Sequence, residues 1–323
     1  MPDAPASAPV VVPTDFSPAA AEAGRYARRL AAATGAPLHL LHVLPWPDAG
    51  PFEADDLPGE TAAQEEAAEA DRALDALGRW AEGAGLAGAV VAVGRASAPA
   101  PEIARYAGEV MAGLVVVGTC GQRPRPDALG AVSGELVHTA PCDVLLVPHR
   151  AEAPYADGPP RRVLVPVDFS DASRPLLRVG LDVADALGAE GVDAVHVLEP
   201  LPHPLRWIDE VVLDLAPEVR QRAGVALRAL VDAEAGGAAV ELYVERGKPA
   251  RAIPRVAEAL GDDLIVLGPH AERPVFDRLL GSVAEGVARR ARCPVLVARR
   301  SAAPDAEADD GVDPASYTPE TAA

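Results

Sequence analysis

Two aspartates occupy positions where open α/β sheets bind ligands. Asp15 and Asp168 each follow a short apolar run and precede Phe-Ser and a helix-like segment. Later in each half another apolar run ends on a glycine, Gly118 or Gly268. If these runs are strands one and four, acid and glycine meet at the crevice where the strand order reverses. Alternatively the aspartates are helix N-caps and the glycines serve turns, but two copies in register favour the crevice.

Small residues surround the loop that follows each glycine. The first half has Gly118–Gly121 and then Gly130–Ser133, whereas the second half has Gly268–Ala271 and then Gly281–Ala284. Glycines let backbone amides approach a phosphate, a hydroxyl adds a donor, and a helix N-terminus adds partial positive charge. Both loops are therefore candidate phosphate sites.

Other residues with chemical potential fit structural roles better. His42 and His196 lie at equivalent positions of an apolar run, where packing is the expected role. Cys120, Cys142 and Cys293 include no Cys-x-x-Cys pair, so neither a disulfide framework nor a metal site is indicated. No arrangement for nucleophilic catalysis is visible. We therefore expect no enzyme.

The chain contains an internal repeat. The segment Val10–Ser17 recurs as Val163–Ser170, and Leu114–Gly118 recurs as Leu264–Gly268, in the same order in both halves. Each half alternates valine-rich runs with longer segments of Ala, Arg, Glu and Leu. This alternation is typical of buried parallel strands joined by helices.

The pattern predicts two tandem doubly wound α/β domains, each a five-stranded parallel sheet of order 3-2-1-4-5 with helices on both faces. In the first half we expect strands at 8–13, 37–43, 88–93, 113–118 and 143–147, and helices at 18–34, 60–82, 99–110 and 132–140. In the second half we expect strands at 162–167, 192–198, 239–244, 263–268 and 294–298, and helices at 172–188, 205–235, 249–261 and 282–291.

Composition shifts set the expected domain boundaries. Residues 1–149 and 161–300 are each long enough to bury a core. Residues 150–160 are rich in Pro and Ala and lack periodicity, so we interpret them as a linker. Residues 301–323 contain six acids and no base, which indicates a disordered acidic tail. Residues 45–60 are expected to form a long loop, which is either a lid over a ligand site or a solvated insertion.

Net charge excludes several function classes. The chain has 48 acidic and 29 basic residues, a net charge of −19, yet it is 49% hydrophobic and therefore folds. An acidic surface repels nucleic-acid backbones and anionic lipids, so we expect neither a nucleic-acid nor a membrane partner. Few cysteines, no leader-like N-terminus and no long apolar run predict a cytoplasmic location.

Both halves resemble universal stress protein domains. The resemblance rests on the His-Val pair of the second strand, on a loop patterned G-x2-G-x9-G-[ST], on an Ala-x-Cys-x-Val ending, and on a first-strand motif formed by Pro13, Asp15 and Ser17 and by Pro166, Asp168 and Ser170. It covers roughly 8–149 and 161–299. The resemblance implies a stress-response sensor or regulator that binds ATP, ADP or AMP, with or without Mg²⁺, at the crevice of at least one half. Weak ATP hydrolysis is compatible with this role but is not indicated.

The resemblance also implies which residues contact the nucleotide. In the second half Val167, Asp168 and Val197 are implied for the adenosine, Gly268 for the ribose, and Gly281, Ser282 and Val283 for the phosphates. Pro166 and His270 are further implied site residues. In the first half they are Pro13, Thr14, Asp15, Val43, Gly118, Gly121, Gly130, Val132 and Ser133.

Both loops depart from the family pattern. The first is one residue short and has Ala131 in place of Ser or Thr, whereas the second has Ala271 in place of a glycine. The shortened first loop must shift the start of the helix that would hold the phosphates, and this shift is harder to relieve than the one extra methyl group of Ala271 in the second loop. We therefore expect the second half to bind nucleotide better. The alternative is a nucleotide-free scaffold for dimerisation and protein contacts.

The fifth strands are apolar sheet edges, Val144–Val147 and Val295–Ala298. An exposed apolar edge invites uncontrolled pairing unless another surface covers it. Universal stress proteins resembling this chain associate through their fifth strands. We therefore expect an internal pseudo-dimer, and a homodimer of two chains remains open.

Overall fold

The computed structural model describes residues 8–46, 60–121, 129–149, 160–199, 216–268 and 282–299. The predicted acidic tail and nearly all of the predicted linker and of the 45–60 loop lie outside these ranges, so the domain boundaries stay predictions. Within them ten strands alternate with eight helices. The strands are β1 Val10–Pro13, β2 Leu38–Pro45, β3 Val90–Ala96, β4 Leu114–Gly118, β5 Asp143–Val147, β6 Arg162–Val167, β7 Gly191–Leu198, β8 Val240–Arg246, β9 Leu264–Leu267 and β10 Val295–Val297. The helices are α1 Pro18–Thr34, α2 Glu60–Gly83, α3 Pro99–Glu109, α4 Ala131–Thr139, α5 Ser173–Leu187, α6 Ala216–Glu234, α7 Pro249–Leu260 and α8 Ser282–Ala288.

Each half forms the predicted parallel sheet. The strand order is β3-β2-β1-β4-β5 in the first half and β8-β7-β6-β9-β10 in the second, which confirms order 3-2-1-4-5 in both. All pairings within a half are parallel. The central strands are buried on both faces, which explains why they consist of uninterrupted Val and Leu rather than alternating polar residues.

The two half-sheets join into one ten-stranded sheet. β5 pairs with β10 in antiparallel orientation, with Val144 opposite Val297 and Leu146 opposite Val295. The expected contact between the fifth strands is therefore present. Arg299, just beyond β10, reinforces it: its amide donates to Asp143 Oδ1 at 2.8 Å, and its guanidinium donates to two carbonyl oxygens at the end of α4.

Helices cover both faces of the sheet. The core on one face includes Tyr26 of α1, Leu77 of α2, Leu177 of α5 and Leu227 of α6, together with Val10 and Val12 of β1. The opposite core includes Ile103 of α3, Leu136 of α4, Ile253 of α7 and Val287 of α8, together with Val11. Both cores cross the β5–β10 seam, so the halves share them. Across the described ranges, no helix combines the length and apolarity that a membrane span requires.

Most predicted bounds agree with the structure within a few residues. The largest strand difference is β3, predicted at 88–93 but found at Val90–Ala96. Its last residues, Gly94 to Ala96, pair with Val43 to Pro45 of β2, and this backbone pairing does not need an apolar sequence. α8 ends at Ala288, shorter than predicted, and α6 is described only from Ala216 onward.

Two buried carboxyl groups, those of Asp193 in β7 and Asp262 just before β9, lie near the amino end of the second half-sheet. Arg162 at the start of β6 donates two hydrogen bonds to the fully buried Asp193, from Nη2 to Oδ1 at 2.6 Å and from Nε to Oδ2 at 3.0 Å. Asp262, only 6% exposed, accepts no hydrogen bond from a donor in the described ranges. Burial and a hydrogen bond with Asp193, which only the protonated acid donates, raise the pKa of Asp262 to about 8.

This pair predicts a pH-dependent stability. An unfolded aspartate ionises near pH 3.8, whereas folded Asp262 ionises near pH 8, so the folded chain keeps the extra proton between these values. The contribution of Asp262 to the free energy of unfolding is therefore fully present below about pH 4. It decreases by up to about 1.4 kcal/mol per pH unit as the pH rises toward 8. Asp262→Asn keeps a donor toward Asp193 and cannot ionise, so it should remove this slope.

Urea unfolding between pH 5 and pH 8 tests the prediction. The exposed Asp185→Asn on α5 is the matched control and should keep the wild-type slope. Equal slopes for wild type and Asp262→Asn would contradict it.

Candidate functional site

The first crevice opens at the carboxyl ends of β1 and β4. It encloses about 220 Å³. The structure brings all nine predicted first-half residues to its walls, namely Pro13, Thr14, Asp15, Val43, Gly118, Gly121, Gly130, Val132 and Ser133. They come from β1, β2, β4 and the start of α4, as the switch-point geometry requires.

The second crevice lies at the equivalent place between β6 and β9. It is larger, about 490 Å³, and its walls include Pro166, Val167, Asp168, Val197, Gly268 and Val283. His270 and Gly281 lie outside the described residues, and Ser282 is described only as the first residue of α8. Because β5 and β10 are antiparallel, the two crevices open on opposite edges of the sheet.

Asp168 is held by the turn that follows it. Its Oδ1 accepts hydrogen bonds from the Ser170 amide at 3.0 Å, from Ser170 Oγ at 2.6 Å and from Ser173 Oγ at 2.8 Å. Burial raises the pKa of Asp168, but these hydrogen bonds outweigh burial and bring it below its ordinary value. The carboxylate is therefore ionised at neutral pH and exposed in the crevice, ready to accept hydrogen bonds.

The turn that follows Asp15 also donates to its carboxylate, but with fewer hydrogen bonds than the turn after Asp168. Its Oδ1 accepts from the Ser17 amide at 3.0 Å. Ala20 stands where the second half has Ser173, and the Ser17 hydroxyl caps α1 by accepting from the Ala20 amide. The N-cap residues are Ser17 for α1 and Ala172 for α5, so neither aspartate is a helix N-cap.

Two glycines permit close packing around the first crevice. A Cβ on Gly118 would lie 3.2 Å from the Ala19 carbonyl oxygen, so this glycine lets α1 approach the end of β4. A Cβ on Gly121 would lie 2.8 Å from Asp15 Oδ2, so the loop after β4 closes directly against the carboxylate. Gly130 has φ −61°, which any residue adopts, and its conformation does not require glycine.

The amino end of α4 faces the first crevice. Gly130 is its N-cap and offers no side chain, so the first amides of the helix are left to solvent or a ligand. The Ser133 hydroxyl is buried and donates to the Gly130 carbonyl oxygen at 3.0 Å. α4 therefore presents backbone amides and partial positive charge to the crevice rather than this hydroxyl.

Cys120 also lines the first crevice, but its thiol is not activated. Burial, followed by the charges of Asp15 and Glu22, raises the pKa of Cys120 above its ordinary value. A neutral thiol is a poor nucleophile. In the part of the chain that the structure describes, no group of three or more His, Cys, Asp or Glu side chains is placed to hold a metal ion.

Phe16 and Phe169, which directly follow the two aspartates, take part in the site although the sequence did not predict it. Both have left-handed backbones, with φ 63° and 64°. Their rings contact His42 and His196, with centroids 4.4 and 4.3 Å apart. The repeated Asp-Phe pair and the repeated histidine were the signal, but a contact between them depends on the fold.

Comparison with known proteins decides the family. The model of the universal stress protein family matches residues 8–148 and 160–299. The chain belongs to this family. Because the model matches twice, the chain is a tandem universal stress protein, as the sequence resemblance predicted.

Relatives match along most of the chain. A universal stress protein of Mycobacterium tuberculosis is 30% identical over 311 residues, which cover 90% of this chain and 96% of the relative. One from Mycolicibacterium smegmatis is 31% identical over 313 residues, with the same shares covered. The crystal structure of a universal stress protein from Archaeoglobus fulgidus superimposes with a TM-score of 0.58 at 22% identity, covering 91% of this chain and 97% of that one. This last likeness concerns the fold alone.

Gly118 allows a stability test of the crevice. Gly118→Ala places a methyl group against the backbone of α1, so we expect it to lower the free energy of unfolding by about 1–3 kcal/mol. Gly78→Ala is the control, because Gly78 lies inside α2 with nothing within 4 Å of a new Cβ. It should raise stability by up to about 1 kcal/mol. Urea unfolding measures both, and a Gly118→Ala chain as stable as Gly78→Ala would refute the close approach.

Proposed function

We propose that this universal stress protein binds an adenine nucleotide at the switch-point crevice of at least one half. The observation that supports it most is the repetition of one arrangement: an ionisable aspartate, a strand-ending glycine and a helix start around a cleft in each half. The ATP-binding members of the family, which these motifs resemble, use these positions for adenosine and phosphates.

The proposed contacts follow from donor and acceptor chemistry. Asp168 accepts hydrogen bonds from adenosine, whose amino group and hydroxyls are donors, and the backbone at Val167 and Val197 borders the base. Gly268 leaves room for the ribose. In the first crevice Asp15 has the role of Asp168, and the amides at the start of α4 donate to phosphate oxygens.

Mg²⁺ is proposed to bind together with the phosphates. It keeps several waters and is commonly held by substrate phosphates with one or two carboxylates. Each crevice has one carboxylate among the predicted site residues, Asp15 or Asp168, so the nucleotide phosphates and water would supply most of the metal's ligands.

The proposed role is a sensor or regulator in a cytoplasmic stress response rather than an enzyme. Because a ligand that binds the folded chain raises its free energy of unfolding as the ligand concentration rises, the state of such a chain would depend on the nucleotide concentration. Hydrolysis would require a group that orients water; the proposal assigns Asp168 and Asp15 to the adenosine, and burial raises the pKa of the Cys120 thiol, so none of the three is proposed for that step.

The second crevice is proposed as the better site. It has about twice the volume of the first, 490 against 220 Å³. In the first crevice the loop at Gly121 lies against Asp15 and leaves less room beside the carboxylate. Both differences agree with the ranking expected from the shortened first loop.

Nucleotide analysis tests the proposal as a whole. The full chain is purified without added ligand and denatured, and the released small molecules are separated beside ATP, ADP and AMP standards. Calorimetry with each nucleotide and Mg²⁺ follows on the stripped chain. A chain that carries no nucleotide and binds none of the three would instead be the interaction scaffold.

Two aspartate variants test the ranking of the crevices. Asp168→Ala removes charged hydrogen bonds of about 1.5–3 kcal/mol, so we expect ATP affinity at the tight site to fall by roughly 10- to 150-fold. Asp15→Ala should affect only a weaker second phase, and Asp185→Ala, far from both crevices, should leave the isotherm unchanged. If Asp15→Ala removes the tight phase, the ranking is reversed.

A further inference from the structure

Each crevice aspartate lies between two residues that one histidine contacts, in an arrangement that we call the aspartate clamp. In the second half the clamp consists of His196, Phe169 and the carbonyl of Val167. His196 Nδ1 lies 2.8 Å from the Val167 carbonyl oxygen, and its ring contacts Phe169 at 4.3 Å between centroids. Val167 precedes Asp168 and Phe169 follows it, so one imidazole fixes both neighbours of the aspartate.

The hydrogen bond defines the tautomer. A carbonyl oxygen only accepts, so Nδ1 of His196 must carry the proton and donate it. The donor is present whether the imidazole is neutral or protonated. The histidine therefore holds the end of β6 by a directed bond and not by packing alone.

The aromatic contact offsets an unfavourable backbone. Phe169 has φ 64°, a region that costs energy for any residue with a Cβ. Without its partner the turn after Asp168 would relax toward an ordinary conformation and carry the carboxylate with it. The ring contact with His196 is one interaction that keeps it in place.

The first half repeats the clamp in different surroundings. His42 Nδ1 lies 2.8 Å from the Thr14 carbonyl oxygen, and the Phe16 ring, at φ 63°, lies 4.4 Å from His42. There Phe16 also contacts Trp80, and the turn lacks a counterpart of Ser173. The hydrogen bond and the ring contact of the histidine are thus the same in both halves although the neighbouring side chains differ, which indicates that these contacts are more than packing.

We propose that His196 and His42 are positioning residues that aim the carboxylates of Asp168 and Asp15 at the bound nucleotide. This proposal rests on the proposed function, since it concerns the same crevices. Neither histidine is proposed to touch the ligand. Each acts on the aspartate through the two residues that flank it.

A double-mutant cycle on the full chain tests the proposal. Asp15→Ala is present throughout, so that binding reports the second crevice. His196→Ala should weaken ATP binding about tenfold or more, but should add no further loss when Asp168→Ala is also present. Losses that multiply in the double variant would overturn the proposal, because a histidine that only supports the fold weakens binding with or without the carboxylate.

Two conservative variants keep the test decisive if His196→Ala folds poorly. Asn places an amide donor near the position of Nδ1, whereas Gln places it near Nε2, beyond the Val167 carbonyl. Both variants lose the ring contact with Phe169, but only Asn keeps the hydrogen bond to the Val167 carbonyl oxygen, so His196→Asn should retain more of the ATP affinity than His196→Gln. Equal affinities in these two variants would overturn the proposal.

A readout without ligand separates this proposal from the proposed function. Hydrogen bonds hold the pKa of Asp168 below its ordinary value, and carbon-13 NMR follows the titration of that carboxyl group. In His196→Gln both contacts of the clamp are lost and the pKa of Asp168 should rise, while in His196→Asn, which keeps the hydrogen bond to Val167, the pKa should rise less. If the pKa rises but no adenine nucleotide binds the parent chain, the proposed function fails and the positioning role stands. If nucleotide binds and neither affinity nor pKa responds, the positioning role fails.

Discussion

Antiparallel pairing of β5 with β10 organises the whole molecule. These short apolar strands are buried in the middle of a ten-stranded sheet, and each covers the edge that the other would expose. The two hydrophobic cores run across the seam, so neither half buries its fifth strand alone. Arg299 adds a polar tie by bonding the last turn of α4 in the other half.

The antiparallel pairing also determines at which edge of the sheet each crevice and each titrating carboxyl group lies. Strands β1 to β5 present their carboxyl ends at one edge of the sheet, and β6 to β10 present theirs at the other. Each edge therefore carries one crevice and, next to it, the amino ends of the opposite half. The buried Asp193 and Asp262 lie at such amino ends, so a titrating group of one half shares an edge with the crevice of the other.

Much of this architecture follows from local sequence. Uninterrupted Val and Leu runs identify buried parallel strands, and the repeat carries the strand order from one half to the other. Asp15 and Gly118 were predicted from their places at strand ends and the other first-crevice residues from the family resemblance, and the structure brings them to one cleft. The difference between Ala20 and Ser173 is visible when the halves are aligned, although its effect on Asp168 is not.

The remaining features depend on contacts between residues distant in sequence. Arg162, Asp193 and Asp262 come from three strands or their approaches, and only the folded sheet makes them neighbours. The left-handed backbones of Phe16 and Phe169 are unexpected for an aromatic residue, because the contact that offsets them comes from a histidine on the next strand. Neither composition nor periodicity encodes such pairs.

Placing both partners of the β5–β10 contact on one chain changes the thermodynamics of assembly. Two separate subunits associate according to their concentration, whereas tethered partners meet at an effective concentration fixed by the connection between them. Dilution therefore does not separate the halves. Each half can also carry its own substitutions at the β5–β10 contact, because it pairs with a different sequence rather than with a copy of itself.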